Sequence, residues 1–552
     1  MRITDTSDLW WKSAVVYCLD VETYLDDDGD GIGDLAGLAR RIDYLADLGI
    51  TCLWLMPFYP SPDRDDGYDV TDFYGVDPRL GTHGDLVEVI RTARDRGIRV
   101  IVDLVVNHTS DQHPWFKAAR RSVDNPFRDY YVWRKDAPGD AKNEVFPGEE
   151  VSIWELDEKT GEYYLHSFYR HQPDLNIANP RVRDEIAKTI GFWLELGVSG
   201  FRVDAVPFLL EPPEGTDLGD PHELLRDLRR FLQRRSSEAI ILGEVNLPYR
   251  EQLDYFGGKD GSELTMQFDF VGMQALYLSL ARRDPAPLIR ALSKRPAIAP
   301  ESQWANFVRN HDELTLDKLT DSEREEVFEA FAPDERQRVY GRGITRRLPT
   351  MLEGDPRRIR MVYSLLFALP GTPVLFYGEE IGMGENPEIE GRGSVRTPMQ
   401  WDASRTGGFS SAPPHRLIAR PPGDGWAPAH VNVVAQRDDE GSLLQHVRRL
   451  VSRYRASAEI GWGEFELLEH DQPAVLVHSM RSDLGRFVAL HNFAERPVTV
   501  TMRLDDEPGD AALVDLLGAE RVPLEGPRTS IELDAYGYRW FRVSRPGDGR
   551  LG

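Results

Sequence analysis

Eight short apolar runs recur along this chain with helical patterns between them, and that rhythm restricts the fold more than any other feature. The runs are Ala14–Leu19, Thr51–Leu55, Val100–Val105, Phe201–Val206, Ala239–Leu242, Leu264–Phe270, Trp304–Val308 and Val374–Tyr377. They are mostly apolar throughout rather than alternating, as expected of strands buried on both faces. Between the first two, Leu35, Leu38, Ile42, Leu45 and Leu48 repeat at helical spacing, and Gly49 stops the helix. Leu86–Ala93, Val182–Leu196, His222–Leu232 and Leu443–Tyr454 are further helical stretches. Strands separated by amphipathic helices predict an α/β fold with a parallel sheet, here a (β/α)8 TIM barrel.

Two segments break the rhythm. Residues 107–176 are rich in Trp, Tyr, Asp, Pro and His, including Trp115, Trp133, Trp154 and Tyr163-Tyr164. Their aromatic content argues against a disordered loop and predicts an inserted domain B after the third strand. From about Gly461 the pattern alternates, as in Ala474-Val-Leu-Val-His478, Phe487-Val-Ala-Leu-His491 and Val498-Thr-Val-Thr-Met502. That predicts a C-terminal antiparallel β-sandwich domain. The expected division is a barrel over residues 1–106 and 177–456, the insertion over 107–176, and a β domain over 457–552.

Composition mainly excludes. The chain has 552 residues, enough for a large core and several domains. Lys and Arg number 66 against 92 Asp and Glu, a net charge of 66 − 92 = −26. An acidic surface disfavours nucleic acid and anionic membrane, both polyanions. The only cysteines, Cys18 and Cys52, sit inside candidate strands, so no disulfide framework is expected. No apolar stretch is long enough to cross a membrane, and the first residues carry no signal-peptide core. The expected compartment is cytoplasmic.

Chemistry concentrates where the apolar runs end. Asp103-Leu-Val-Val-Asn107-His108, Gly200-Phe-Arg202-Val-Asp204, Gly243-Glu244-Val-Asn246 and Arg309-Asn310-His311-Asp312 each end or directly follow one. In such barrels catalytic groups come from the carboxyl ends of several strands. A single buried acid is more often half of a structural ion pair; four converging strand ends are not. Two carboxylates in different environments can cleave or transfer a glycosidic bond. Asp204 and Glu244 are the candidate pair. Arg202 shares a strand face with Asp204 and would keep it ionised, as a nucleophile requires. Glu244 follows an apolar run, whose desolvation would raise it toward a general acid. Asp312, with His108 and His311, could hold sugar hydroxyls.

A separate acidic loop reads Asp26-Asp-Asp28-Gly-Asp30-Gly-Ile32-Gly-Asp34. Alternating acidic oxygens with glycine bends suit a hard cation such as Ca²⁺. Asp26, Asp28, Asp30, the Ile32 carbonyl and Asp34 are the candidate ligands. The loop is not an EF-hand, because its twelfth position is Gly37. The alternative is a solvated acidic turn. Gly67-Tyr68-Asp69-Val70 and Arg392-Gly-Ser-Val-Arg396 are not specific by chemistry alone; a surface salt bridge would explain them equally well.

Taken together, these stretches resemble the sequence regions of the α-amylase superfamily, glycoside hydrolase family 13, over roughly residues 8–545. Asp103–His108, Gly200–Val206, Glu244 and Asn310–Asp312 resemble its first four regions. Gln172-Pro-Asp-Leu-Asn176, Gly371–Glu380 and Arg396-Thr-Pro-Met-Gln-Trp401 resemble its oligo-1,6-glucosidase side. The resemblance implies that Asp204 is the nucleophile, Glu244 the acid/base and Asp312 the transition-state stabiliser. It implies that Tyr68, His108, Arg202 and His311 line the subsite of the reacting glucose, and that Asp69 and Arg396 close its back. It also implies a single structural Ca²⁺ at the acidic loop.

Asn107–Phe116, Phe201–Pro207, Phe307–Leu316 and Gly343–Leu348 are most similar to family members that interconvert maltose and trehalose. That implies small-molecule sugar partners (maltose, trehalose or other short α-glucosides), with a homo-oligomer open. Two departures stand out. Gly243-Glu-Val-Asn246 replaces those members' Ala-Glu-Ala-Asn, and Gly215–His222 differs from their loop after the fourth strand. An isomerase must hold cleaved glucose and exclude water while the sugar turns. A changed lid would favour hydrolysis or another acceptor, so an exo-α-glucosidase or transglucosidase is the alternative. A transporter-associated, non-catalytic barrel is a third reading, opposed by the presence of all three acids.

Overall fold

A computed structural model describes residues 9–136, 139, 145–210, 220–505, 507–508 and 510–545. Eight parallel strands close into a barrel: Val16–Leu19, Cys52–Leu55, Arg99–Leu104, Gly200–Val203, Ile240–Gly243, Met266–Phe268, Gln303–Phe307 and Thr372–Phe376. The first pairs with both the second and the eighth, Val16 facing Cys52 and Val374. Every predicted run overlaps one of these strands.

Local chemistry sets the element ends. Helix Leu35–Leu48 starts at Asp34, whose side chain accepts the Gly37 amide, and ends at Gly49 in the left-handed region (φ 91°). Thr82 and Asp85 form a capping box before helix His83–Asp95. Two runs were read too long. Leu264–Phe270 stops as a strand at Phe268, because Asp269 caps a helix beginning at Phe270. Phe201–Val206 stops at Val203, and Ala205 turns the chain with φ 48°. That turn places Asp204 at the strand's end.

The insertion carries helix Pro114–Ala119 and a small antiparallel sheet in the order Trp133–Arg134, Glu162–Leu165, Trp154–Asp157. Its core is aromatic: Phe116 stacks on Trp133 at 5.7 Å, and Tyr164 meets both edge-on. The ends of the insertion close on each other through the His108–Asp174 bridge and the Leu175 amide on the Asn107 carbonyl.

After helices Leu443–Arg455 and Ala458–Trp462, a six-stranded antiparallel sheet packs against a two-stranded one, Val498–Arg503 with Arg528–Leu533. Period-two alternation assigns the faces. Val475, Val477, Val488, Leu490 and Phe541 join the core between the two sheets. Leu476, Phe487, Ala489 and Trp540 join the barrel's core instead. The larger sheet is thus apolar on both sides. Among the described residues no helix is long and apolar enough to cross a membrane.

Candidate active site

The strand ends bring the sequence-chosen acids around one guanidinium. Arg202 is buried, and its Nη1 donates to Asp103 Oδ1 (2.5 Å), Asp204 Oδ1 (2.7 Å) and the Tyr68 hydroxyl (3.3 Å). Its Nη2 donates to Glu244 Oε2 (2.8 Å), which also accepts the Ala205 amide (3.1 Å). Asp103 is held from its other side by the Trp54 indole N–H (2.7 Å). Three acids, two buried and one partly buried, outnumber one arginine, so desolvation prevails. Burial pushes Asp103 and Asp204 up to about 6 against the pull of Arg202, and Glu244 also rises.

Asp312 has the opposite surroundings. Its Oδ1 accepts Arg392 Nη1 (2.8 Å) and Arg396 Nη2 (2.9 Å), and its Oδ2 lies 3.1 Å from His311 Nε2. Although burial works to raise it, the hydrogen bond from His311 and the charges of Arg392 and Arg396 hold Asp312 well below the usual carboxylate range. His311 is fully buried, stacks on Tyr68 at 5.5 Å and shares a hydrogen bond with its hydroxyl (2.8 Å). His108 lies against Phe168 and beside the Tyr68 carbonyl (3.2 Å), and burial lowers it to about 4. Burial lowers His311 too, so both histidines are neutral near pH 7. Asp204, Glu244, Asp312, Tyr68, His108, Arg202 and His311 form one connected site.

Asp69 and Arg396 do not pair, contrary to the expectation that they jointly close the pocket. Asp69 is fully buried and accepts from Ser61 Oγ (2.7 Å) and from the Arg64 amide (3.2 Å) and Nε (3.4 Å). Positive φ at Asp63, Asp66 and Gly67 coils residues 61–67 around it. Arg396 meets Asp66 instead (2.6 Å), while Arg392 meets Asp65 (2.6 Å). Gln172 of the insertion donates to Asp65 as well (2.8 Å). The wall behind Asp312 is thus two Asp–Arg bridges, and both arginines also line a cleft of about 720 Å³ together with Asp65 and Asp66. Sequence reading missed Asp65, Asp66 and the importance of Arg392; its one available signal was an Asp-rich turn directly before Gly67-Tyr68.

At the acidic loop, carboxylate oxygens of Asp26, Asp28 and Asp34 lie within 4.8 Å of one another. Asp26 is tied down by the Gly29 and Gly31 amides and Ser410, and Asp34 by the Gly37 and Asp27 amides. Asp30 stays outside the triad; it is exposed and accepts the Ile32 amide (2.8 Å). Of the altered loop Gly215–His222, residues 215–219 lie outside the described residues. His222 bonds Glu263 (2.7 Å), which also pairs with Arg226 (3.0 Å).

A closed parallel barrel whose strand ends gather carboxylates around an arginine, with an insertion after the third strand, is the plan of a barrel glycosidase. The chain belongs to the α-amylase family: residues 21–331 and 341–462 match the α-amylase catalytic domain, and residues 485–542 match a sucrose hydrolase-like C-terminal domain. It is 40% identical to a trehalose synthase of Pimelobacter sp. (strain R48), over 97% of this chain and 96% of that one. It is 41% identical to a trehalose synthase of Thermus thermophilus over 97% of this chain, which spans 56% of that longer protein. An oligo-1,6-glucosidase of Parageobacillus thermoglucosidasius is 31% identical, over 90% of this chain and 92% of that one. Among solved structures, a trehalulose synthase mutant crystallised with its substrate sucrose superposes with a TM-score of 0.77 at 26% identity, covering 97% of this chain and 99% of that one.

Proposed function

We propose that this chain is a retaining α-glucosyl enzyme that interconverts maltose and trehalose through a covalent glucosyl-enzyme. The observation that carries the mechanism is the sharing of Arg202 by Asp204 and Glu244. One guanidinium holding both carboxylates favours the short separation of retaining enzymes, about 5–5.5 Å, over the wider inverting gap. Asp204 Oδ attacks the anomeric carbon while Glu244, the more exposed of the two, protonates the leaving oxygen. Glu244 then takes the proton from the incoming hydroxyl. Asp312, fixed as a carboxylate, accepts from glucose hydroxyls as the ring flattens. Neutral His108 and His311 complete the glucose subsite with Tyr68, and Arg396 and Arg392 close it behind Asp312.

The same donor chemistry serves hydrolysis if water reaches the glucosyl-enzyme. That alternative, an exo-α-glucosidase or transglucosidase, is favoured by the likeness to oligo-1,6-glucosidases. Proton NMR of the products from maltose, repeated from trehalose, separates them. Trehalose from maltose and maltose from trehalose, with little glucose, is the expected result. Glucose alone would make the chain a hydrolase, and no conversion of either sugar would move the search to other α-glucosides.

The acidic loop supports a structural Ca²⁺. Asp26, Asp28 and Asp34 supply hard oxygen donors at close quarters, and bound Ca²⁺ would relieve their mutual repulsion. Asp30 and the Ile32 carbonyl complete the set only if the loop tightens. Because Asp34 also caps helix Leu35–Leu48, the ion's role is stability. Chelation is expected to lower the melting temperature without changing the products formed; an unaltered melting temperature would remove the ion from the scheme.

A further inference from the structure

A basic recess interrupts the acidic surface where helix Leu35–Leu48 meets helices Val433–Arg437 and Leu443–Arg455. It is a cavity of about 280 Å³ whose lining includes Arg40, Arg41, Arg437 and Arg448 with Asp43 and Asp47. Most of these charges are already committed. Arg40 pairs with Asp27, and Asp43 with Arg96. Arg448 donates to the Asp47 carbonyl (3.2 Å) and lies 4.0 Å from its carboxylate.

Arg41 and Arg437 remain. Among the described residues neither has a carboxylate at ion-pair distance. The Arg41 Nε is buried without an acceptor, and its guanidinium lies over the Trp401 ring at 4.1 Å. Burial and the neighbouring charges of Arg40 and Arg437 all lower Arg41. Two like charges sharing a recess without a counter-ion repel, so the arrangement costs free energy that a bound anion would offset.

We propose that this recess binds a small phosphate group, free or as the monoester of a small sugar. A guanidinium presents a planar fork of donors that matches phosphate oxygens in pairs, which a point charge does not. Two forks meeting in one cavity suit a tetrahedral dianion, and the volume admits a phosphate with a small substituent but little more. The recess also abuts the pocket's supporting chain. Trp401, beneath Arg41 and edge-on to Tyr44 (5.1 Å), ends the segment that begins at Arg396 on Asp312. An occupant would therefore brace the segment that holds the site's back wall.

The test is isothermal titration of the full chain, at constant ionic strength in chloride buffer, with inorganic phosphate and separately with glucose 6-phosphate. The wild type and Arg437→Ala are compared, since Arg437 is exposed and remote from the sugar pocket. Saturable binding is expected, weakened about ten-fold or more by the substitution. Turnover is expected to stay the same in Arg437→Ala, and its melting temperature without phosphate to stay level or rise, because one of the two repelling charges is gone. Tighter binding of the sugar phosphate would identify a phosphomonoester, and equal binding a free anion; both carry the proposal. No saturable heat at millimolar ligand, or equal binding by Arg437→Ala, overturns it.

Discussion

One wall of the pocket sets three carboxylates on one arginine, and the facing wall sets two arginines on one carboxylate. Around Arg202, Asp103 and Asp204 rise to about 6 and Glu244 rises too. Around Arg392 and Arg396, Asp312 falls well below its usual range. All of these groups are deeply set, so burial does not distinguish them. The ratio of cations to acids does. Desolvation raises every buried acid, and only a local surplus of positive charge reverses it. Retaining chemistry needs that division: one wall must exchange protons and carry a covalent bond, and the other must stay ionised throughout.

The comparison is broken most directly at Asp204. Asp204→Asn removes the proposed nucleophile, and turnover is expected to fall by about 10⁴-fold or more. The raised Asp204 predicts a second, opposite effect. An acid whose folded pKa lies above its unfolded value stabilises the fold at low pH and loses that contribution as pH rises through about 6. At pH 7.5 the variant is therefore expected to melt higher than wild type while being inactive. Substantial residual turnover in a folded variant would remove Asp204 from the role.

The other wall is tested at Arg392. Arg392→Met leaves Asp312 with Arg396 and His311 and breaks the bridge to Asp65. The expected loss in kcat/KM is about 10²-fold, on the scale of removing one preorganised charge partner. Asp204, near 6, sets the acid limb of the pH profile, so the expected change lies below it: a steeper fall at low pH as Asp312 protonates more readily. A loss of the same size at every pH, with no steepening, would mean that Arg392 shapes the pocket without setting the charge of Asp312.

These two walls were not equally legible in the sequence. Asp204, Glu244 and Arg202 stand at the ends of apolar runs, and a strand's end in a parallel barrel faces the site whatever the loops do. Strand existence was legible for the same reason, while ends such as Phe268 and Val203 depend on caps and turns. The opposite wall is assembled from loops. Asp65 and Asp66 precede Tyr68 by only a few residues, yet their partners Arg392 and Arg396 lie more than 300 residues along the chain. Nothing in local pattern distinguishes Asp66 from Asp69 as the partner of Arg396. The coiling of residues 61–67 decides it, and that is a property of backbone dihedrals rather than of residue type.

A smaller effect sharpens the same comparison away from the pocket. His478 and His491 lie on the barrel-facing side of the C-terminal sheet, stacked 6.4 Å apart and fully buried. His478 bonds the Ala368 carbonyl (2.8 Å), and His491 bonds Ser364 Oγ (3.0 Å). Burial lowers His478 to about 4, and burial together with the neighbouring His478 takes His491 well below its usual value. If charge ratio governs protonation, this pair is the limiting case, desolvation opposed only by the hydrogen bonds at Ala368 and Ser364. For a base whose folded pKa is depressed, the unfolded chain binds more protons once pH falls below about 6.5. Stability is then fully present above that pH and declines down to about 4, by roughly 3 kcal/mol for His478 alone. His478→Gln is expected to flatten the melting-temperature slope between those limits while leaving the products from maltose unchanged. An unchanged slope would mean that protonation of His478 is absorbed elsewhere and that burial without a counter-charge does not set its state.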